Sequence, residues 1–301
     1  MTPSVGIVVC ARVRSNRLPE KVLAPIGDRA AIEILLRNVR KVGLPVVLAI
    51  PADRSDDPLV PYAEKCGATL YRGEDDSPLH RMVAAGRSFE HIVRVTADDI
   101  FIDPGLLTRQ ITHHLETEAD YTYCVDCPEG VATEVIRTSV LRKTAERMKG
   151  QPVEFISYNV KDDAKTIKKY VPPLEYHHRY RLTLDWPEDL TVLRVIDGAL
   201  NRPYTTLDII NYLKHTRNNW LMHTNRLPDV TVYTCCYNQG RYLRACLDSI
   251  GASTDVNLEQ IVVDDGSTMM DLECPSVWYV PNMGYGYAIK YGIDHATRPI
   301  I

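Results

Sequence analysis

Eleven residues near the amino terminus, Ala11-Arg12-Val13-Arg14-Ser15-Asn16-Arg17-Leu18-Pro19-Glu20-Lys21, carry four cationic side chains. Arginine presents a planar fork that can meet two phosphate oxygens at once, and lysine presents a compact point charge. Arg12, Arg17 and Lys21 therefore describe a polyanion site. An ordinary solvated basic loop is the plainer reading of any charge run. Two neighbours favour the site. Leu18-Pro19 stiffens the loop, and the preceding Val5-Gly6-Ile7-Val8-Val9-Cys10 has the continuous apolar pattern of a buried strand. Open α/β sheets hold their ligands at the carboxyl ends of strands.

A second position with chemistry to offer is Asp98-Asp99, just after the apolar run His91-Ile92-Val93-Arg94-Val95-Thr96. Adjacent carboxylates at a strand end suit Mg²⁺, which takes one or two carboxylates and completes its shell with water and substrate phosphates. A simple Asx turn ahead of Asp103-Pro104 competes with that reading. Of the eight cysteines, Cys10, Cys66, Cys124, Cys235, Cys236 and Cys246 lie in apolar patterns and are expected to be reduced, buried thiols. Cys124-Val125-Asp126-Cys127 has redox or zinc spacing, but no second pair completes a metal site, so a structural role is expected. His113-His114 and His177-His178 each lack a third ligand at useful spacing.

These groups need a scaffold. A chain of 301 residues exceeds the usual single-domain size, and 45% apolar content is enough for ordinary cores. A formal charge of -4 gives no general attraction to a nucleic acid polymer, so any phosphate must be held locally. No signal-peptide h-region or membrane-length apolar run is present, which predicts a soluble cytoplasmic protein. Ile32, Leu35, Leu36 and Val39 recur at helical spacing, and Val46 to Ile50 forms a second apolar run. Strand, helix, strand implies a right-handed parallel unit. A short helix over Leu59 to Cys66, a strand at Thr69 to Tyr71, a helix with Leu79, Met82 and Val83, and strands at 91–96 and 121–124 continue the pattern. Arg181 to Asp185 is expected to be a strand feeding a helix at Pro187, followed by a helix with Leu207, Ile210 and Leu213.

The Arg-x-x-Ser-x-Arg-Leu-Pro-x-Lys pattern after a first strand resembles the cytidylyltransferases that make CMP-linked sugar acids, particularly the SpsF-like branch. Ala24-Pro25-Ile26-Gly27, Tyr71 to Asp76 with Arg81, Val93 to Asp98 with Ile102-Asp103-Pro104, and Arg181 to Leu190 extend the likeness over about residues 4 to 215. The resemblance implies an α/β, Rossmann-like, mostly parallel sheet. It also implies CTP as nucleotide, a sugar or sugar-acid acceptor, Mg²⁺ on Asp98 and Asp185, and often a homodimer. It places Ala11, Arg12, Ser15, Arg17, Lys21, Arg72, Asp76 and Arg81 beside the nucleotide, with Lys21, Arg12 and Arg17 catalytic.

The chain departs from that family where the acceptor pocket is expected. Relatives tend to have Pro-x-Gly-x-Asp-x-Glu and a Glu-His-Val-Thr element; here Ala132 replaces the acid in Pro128 to Glu134, and the second element reads Glu154-Phe155-Ile156-Ser157. Arg14 and Glu20 stand where relatives favour glycine.

The domains expected are residues 1–217, a linker over 218–229, and 230–301, where the pattern restarts. Tyr237-Asn238-Gln239-Gly240, Val263-Asp264-Asp265-Gly266-Ser267 and Asn282-Met283-Gly284 resemble the nucleotide-binding half of family 2 glycosyltransferases with the GT-A fold. That likeness implies nucleotide contacts from Tyr237, Asp264 and Asp265. The sequence stops before that family's Asp-x-Asp motif, so an incomplete transferase is expected there. The leading expectation for the whole chain is a Mg²⁺-dependent cytidylyltransferase for surface or spore-coat polysaccharide. A nucleotide-sugar glycosyltransferase and a catalytically inactive nucleotide-binding scaffold are the alternatives.

Overall fold

The structure is a computed structural model and describes residues 3–74, 77–151, 153, 156–200, 202–216, 229–252, 257–268 and 277–296. The chain divides into two compact units, Met1–Thr224 and Asn225–Ile301. In the first, β1 (Val5–Cys10) leads through the basic loop to a 3₁₀ turn (Lys21–Leu23) and a small hairpin of β2 (Pro25–Ile26) and β3 (Arg29–Ala30). Then come α1 (Ala31–Arg40), β4 (Val46–Pro51), a 3₁₀ segment (Arg54–Leu59) continuing into α2 (Val60–Lys65), and β5 (Thr69–Gly73). Next are α3 (Pro78–Ala85), β6 (His91–Thr96), α4 (Pro104–Glu116), β7 (Tyr121–Cys124), β8 (Glu134–Arg137) and α5 (Thr138–Arg147). The unit closes with α6 (Ile156–Asp163), β9 (Ile167–Tyr170), a 3₁₀ turn (Leu174–Tyr176), α7 (Pro187–Ala199) and α8 (Thr206–His215).

Seven strands form one sheet in the order β5-β4-β1-β6-β8-β7-β9. The first four of that order are mutually parallel, β8 runs antiparallel to both β6 and β7, and β9 is parallel to β7. The apolar run of β1 is explained by its central place: Ile7 pairs with Val46 on one side and Val93 on the other. Alternate residues serve opposite faces. Ile7 and Val9 join Leu35, Leu36 and Val39 of α1, whereas Val8 joins Met82 of α3 and Leu141 of α5. With helices on both faces and parallel strands at the centre, the loops that follow β1 and β6 lie together at one end of the sheet.

Two sequence expectations are corrected. Arg181 to Asp185 is not a strand: a single bridge links Arg181 to Glu129, and the segment is then held by Leu184 N–H donating to the Asp98 carbonyl at 2.9 Å. Its neighbours are a loop and a strand end, so no ladder can extend. Of the cysteines, Cys236 is buried, but Cys10, Cys66, Cys124 and Cys235 are only partly so, and Cys246 is exposed on the outer face of a helix. All the described cysteines are free thiols.

The second unit has β10 (Asp229–Cys236), α9 (Gly240–Gly251), β11 (Asn257–Asp265), β12 (Val277–Val280) and α10 (Tyr285–His295). The three strands form a parallel sheet in sequence order. Leu243 and Leu247 of α9 cover Cys236 and Val262, and Ala288 of α10 covers Ile261 and Val263. The proposed linker lies largely outside the described residues.

One buried polar pair joins α4 to the first unit's sheet. His91 Nδ1 and His114 Nε2 are 2.9 Å apart, and His114 Nδ1 is hydrogen-bonded to Thr122 Oγ1 at 2.8 Å. Burial, reinforced by the charge of Arg137, lowers the pKa of His91; burial and the facing His91 push His114 down to about 3. Both rings are neutral in the fold, whereas the unfolded chain takes up protons on them near 6.5. Their folded pKa values are depressed, so stability is lost as pH falls below about 6.5, by at most about 1.4 kcal/mol per pH unit for each ring. Thermal midpoints measured from pH 7 to pH 5 should fall, and His114→Gln should flatten that dependence. An unchanged slope in the variant would show that the pair does not govern it.

Candidate active site at the carboxyl ends of β1 and β6

The basic loop is pinned before it presents its cations. Ala11 N–H donates to the Ala49 carbonyl at 3.1 Å, and Val13 N–H donates to Asp56 Oδ1 at 2.6 Å. Ala11 and Val13 are buried, and Leu18 N–H reaches the Ser15 hydroxyl at 3.4 Å, so Ser15 braces the loop from within. Glu20 takes the left-handed conformation, φ 54° and ψ 25°. That is the region glycine occupies most readily, which accounts for a non-glycine residue being an outlier at this point. The turn aims Lys21 inward.

Lys21 Nζ lies 2.7 Å from Asp98 Oδ2 and 2.9 Å from Asp185 Oδ1. Asp185 also accepts from Arg17 at 2.5 Å and from Arg181 at 2.9 Å. One carboxylate thus faces three cations, while the Arg17 guanidinium lies 5.5 Å from the centre of the Trp186 ring. Burial would raise the Asp185 pKa, but Lys21 above all, then Arg17 and Arg181, outweigh it and hold the carboxyl below its ordinary range. Asp185 is positioned by the start of α7, where Asp189 accepts from the N–H groups of Asp185 at 2.8 Å and Trp186 at 2.9 Å. Arg181 ties this corner together, reaching Glu129 at 2.6 Å and Asp189 at 3.2 Å.

Asp99 plays a different part from its neighbour. Its carboxyl is withdrawn from water and accepts from Thr96 Oγ1 at 2.7 Å. Desolvation, followed by the adjacent charge of Asp98, pushes its pKa up to about 7. A pocket of about 620 Å³ opens beside these groups, with Asp98 and Asp185 at one edge and Tyr123, Ala132, Glu134 and Lys161 among its other walls. Arg94 is paired with Glu134 at 3.0 Å, and Lys161 sits over the rings of Tyr121 and Tyr123. Ala132, the departure from the resembling family, therefore lines this pocket; Glu154 and Phe155 lie outside the described residues.

The structure brings Arg17, Lys21, Asp98 and Asp185 into one cluster. Arg12 is exposed and makes no ion pair among the described residues, and Arg14 pairs with Asp53 at 2.9 Å. Arg72 does not join the cluster and is ion-paired with Asp57. Arg81 is buried and donates to the Glu74 carbonyl at 2.7 Å, near enough to the Cys10 thiol to offset part of the rise that burial imposes on it. Asp76 lies outside the described residues. Arg181 and Lys161 were not singled out by sequence. The four-residue steps from Arg181 to Asp185 and on to Asp189 are a legible signal for the first; Lys161 carries none.

In the second unit, the three motif segments converge at the carboxyl ends of β10 and β11. Asp264 is 1% exposed and accepts from Ser267, while Asn238 N–H donates to Ser267 Oγ at 2.7 Å. Asp265 accepts from Met283 N–H at 2.8 Å and Gly284 N–H at 3.0 Å. Tyr237 is exposed. Both aspartates, expected to contact nucleotide, are here engaged in holding loops.

Enzymes that handle a nucleoside triphosphate need cations for the departing phosphates and carboxylates able to share a counter-ion with them, and this end of the first sheet provides both. The first unit is a nucleotidyltransferase. The chain belongs to the cytidylyltransferase family, whose model matches residues 6–217. Residues 231–301 match the model for family 2 glycosyl transferases. The spore coat polysaccharide biosynthesis protein SpsF of Bacillus subtilis is 29% identical over 204 residues, 63% of this chain and 84% of that protein. A cytidylyltransferase structure from Leptospira borgpetersenii superimposes with a TM-score of 0.63 at 23% identity, covering 73% of this chain and 97% of the other. The chain is also similar to the hyaluronan synthase of Pasteurella multocida, 40% identical over 60 residues, which are 20% of this chain and 6% of that protein.

Gly130 (φ +89°) sets how closely the pocket wall approaches Arg181 to Asp185: an added Cβ would lie 2.8 Å from the Leu182 carbonyl group and Thr183 N. Gly130→Ala should cost about 2–4 kcal/mol, from the left-handed backbone and the overpacking together. A thermal melt checks it; an unshifted midpoint would show that the two segments can separate freely.

Proposed function

We propose that the first unit transfers a cytidylyl group from CTP to a hydroxyl of a sugar or sugar acid. The acceptor oxygen attacks the α-phosphorus in line, the bond from that phosphorus to the bridging oxygen breaks, and pyrophosphate departs. The single observation that carries this reading is the Lys21 ammonium held between Asp98 and Asp185. It marks a point where two carboxylates converge on positive charge at the head of a cationic loop.

That donor set also fits a divalent cation. Asp98 Oδ2 and Asp185 Oδ1 both approach one ammonium, which stands in for an ion, and two hard oxygens from separate segments are what Mg²⁺ takes from a protein when phosphates and water complete its shell. Mg²⁺ on Asp98 and Asp185 would neutralise phosphate charge as a Lewis acid. Arg12, which is exposed, and Arg17 would gather phosphate oxygens, and Lys21 would turn from the carboxylates to the α-phosphate and the leaving group. Ala11 and Ser15 would shape the loop that admits the nucleotide. Arg81 and Arg72, with Asp76, would lie toward the base. The wall formed by residues 128–134 and Lys161 would receive the acceptor. A place in surface polysaccharide synthesis is supported by the name of the Bacillus relative, and a homodimer by resemblance alone.

A second reading concerns residues 231–301. The convergence of the segments around Tyr237, Asp264 and Asp265 supports a nucleotide-sugar site there, which would open if the aspartates released the loop amides they now hold.

Pyrophosphate release by the full chain with Mg²⁺ and CTP, across a panel of sugar acids and sugars, tests the first reading. Asp98→Ala should abolish release. Lys21→Ala should fold, because Asp185 retains Arg17 and Arg181, and should lower kcat/KM by on the order of 10²–10³-fold or more. Near-normal turnover in Lys21→Ala would sink the assignment.

A further inference from the structure

On the opposite side of α1 from the sheet lies a cleft of about 450 Å³ that shares no lining residue with the pocket beside Lys21. Six cations line it, contributed by four separate segments: Arg29 from β3, Arg37, Arg40 and Lys41 from the end of α1, Lys65 from α2, and Arg202 from the turn before α8. Among the described residues, no aspartate or glutamate lines it. In a chain of formal charge -4, gathering six like charges around one concavity is unfavourable unless something anionic offsets it.

The cations are held from behind. Glu33 is 3% exposed and accepts from Arg37 Nε at 2.9 Å and Lys65 Nζ at 2.7 Å. Burial would raise its pKa, but those hydrogen bonds keep the carboxyl below its ordinary range, so it stays ionised and fixes two heads with one charge. Arg202 is likewise oriented by Asp197 at 2.6 Å and Asp28 at 2.8 Å. Arg40 and Lys41 are exposed and have no carboxylate partner among the described residues. Three carboxylates behind six cations leave an excess of positive charge facing the cleft. Phe101 and Tyr204, in edge-to-face contact at 5.9 Å, are among its other lining residues.

We propose that this cleft binds the phosphates of a small phosphorylated ligand, a di- or triphosphate, independently of the site at Lys21. Fixed arginine forks and a lysine pair match several phosphate oxygens at once, and the cleft is sized for a small molecule.

Calorimetric titration of the full chain with inorganic pyrophosphate at about 0.15 M ionic strength tests this without turnover. The result is thus separable from the cytidylyltransferase reading. The Lys21→Ala protein should retain one saturable event. Adding Arg40→Gln and Lys41→Gln to it should weaken that event by at least about tenfold. Both side chains are exposed, so folding should survive; Lys65→Gln is the alternative variant if it does not. Absence of saturable binding in Lys21→Ala, or binding there that the further substitutions leave unchanged, would overturn the proposal.

Discussion

A single ammonium group organises the first unit. Lys21 meets Asp98 and Asp185, 77 and 164 residues further along the chain. Neither carboxylate can sit where it does without the other. Asp98 is carried by the end of β6 and gives its backbone carbonyl to Leu184, one residue before Asp185. Asp185 in turn is fixed by the first turn of α7. Lys21, Arg17 and Arg181 are shared among Asp185, Asp98, Asp189 and Glu129, and a partly buried carboxylate is stable only when paired in this way. Bringing an anion to the loop therefore means exchanging partners within a network already assembled.

Much of this was legible in the residues. Continuous apolar runs with helical stretches between them dictate parallel strands covered on both faces, and β1, α1, β4 and β6 start within a residue or two of those patterns, whereas β8, α5, α6 and β9 were not read from sequence. The cluster of Arg17, Lys21, Asp98 and Asp185 follows from spacing and family likeness together. Legibility ended where tertiary contacts decide the outcome. Arg181 to Asp185 has the composition of a strand, but its only ladder contact is one bridge, because the chain beside it is already committed. Arg72 has the same fork as Arg17, and nothing local shows that Asp57 will hold it. Cys246 lies in an apolar pattern on the wrong side of its helix. The basic cleft was invisible because its cations come from four segments, none of them a charge run.

The second unit makes the same point about aspartates. Asp264 and Asp265 end a buried strand, where family likeness assigns them a ligand. Here each carboxylate is occupied, one by Ser267 and the other by two backbone amides. A carboxylate at a strand end can hold a loop or a ligand, and sequence does not separate the two uses, since both need the same residue at the same place.

The reversal of strand direction between β6 and β8 divides labour within the first unit. The basic loop and Asp98 follow strands of the parallel half, whose geometry is fixed by burial on two faces, and Asp185 is brought to them by the segment before α7. Glu134, at the start of the antiparallel strand, pairs with Arg94 of β6 and joins the two halves, and the loop before it forms the far wall of the pocket. Sequence can drift in that loop, as at Ala132, while the phosphate end keeps its shape. A scaffold divided in this way can change one wall of its pocket without disturbing the loop that carries its cations.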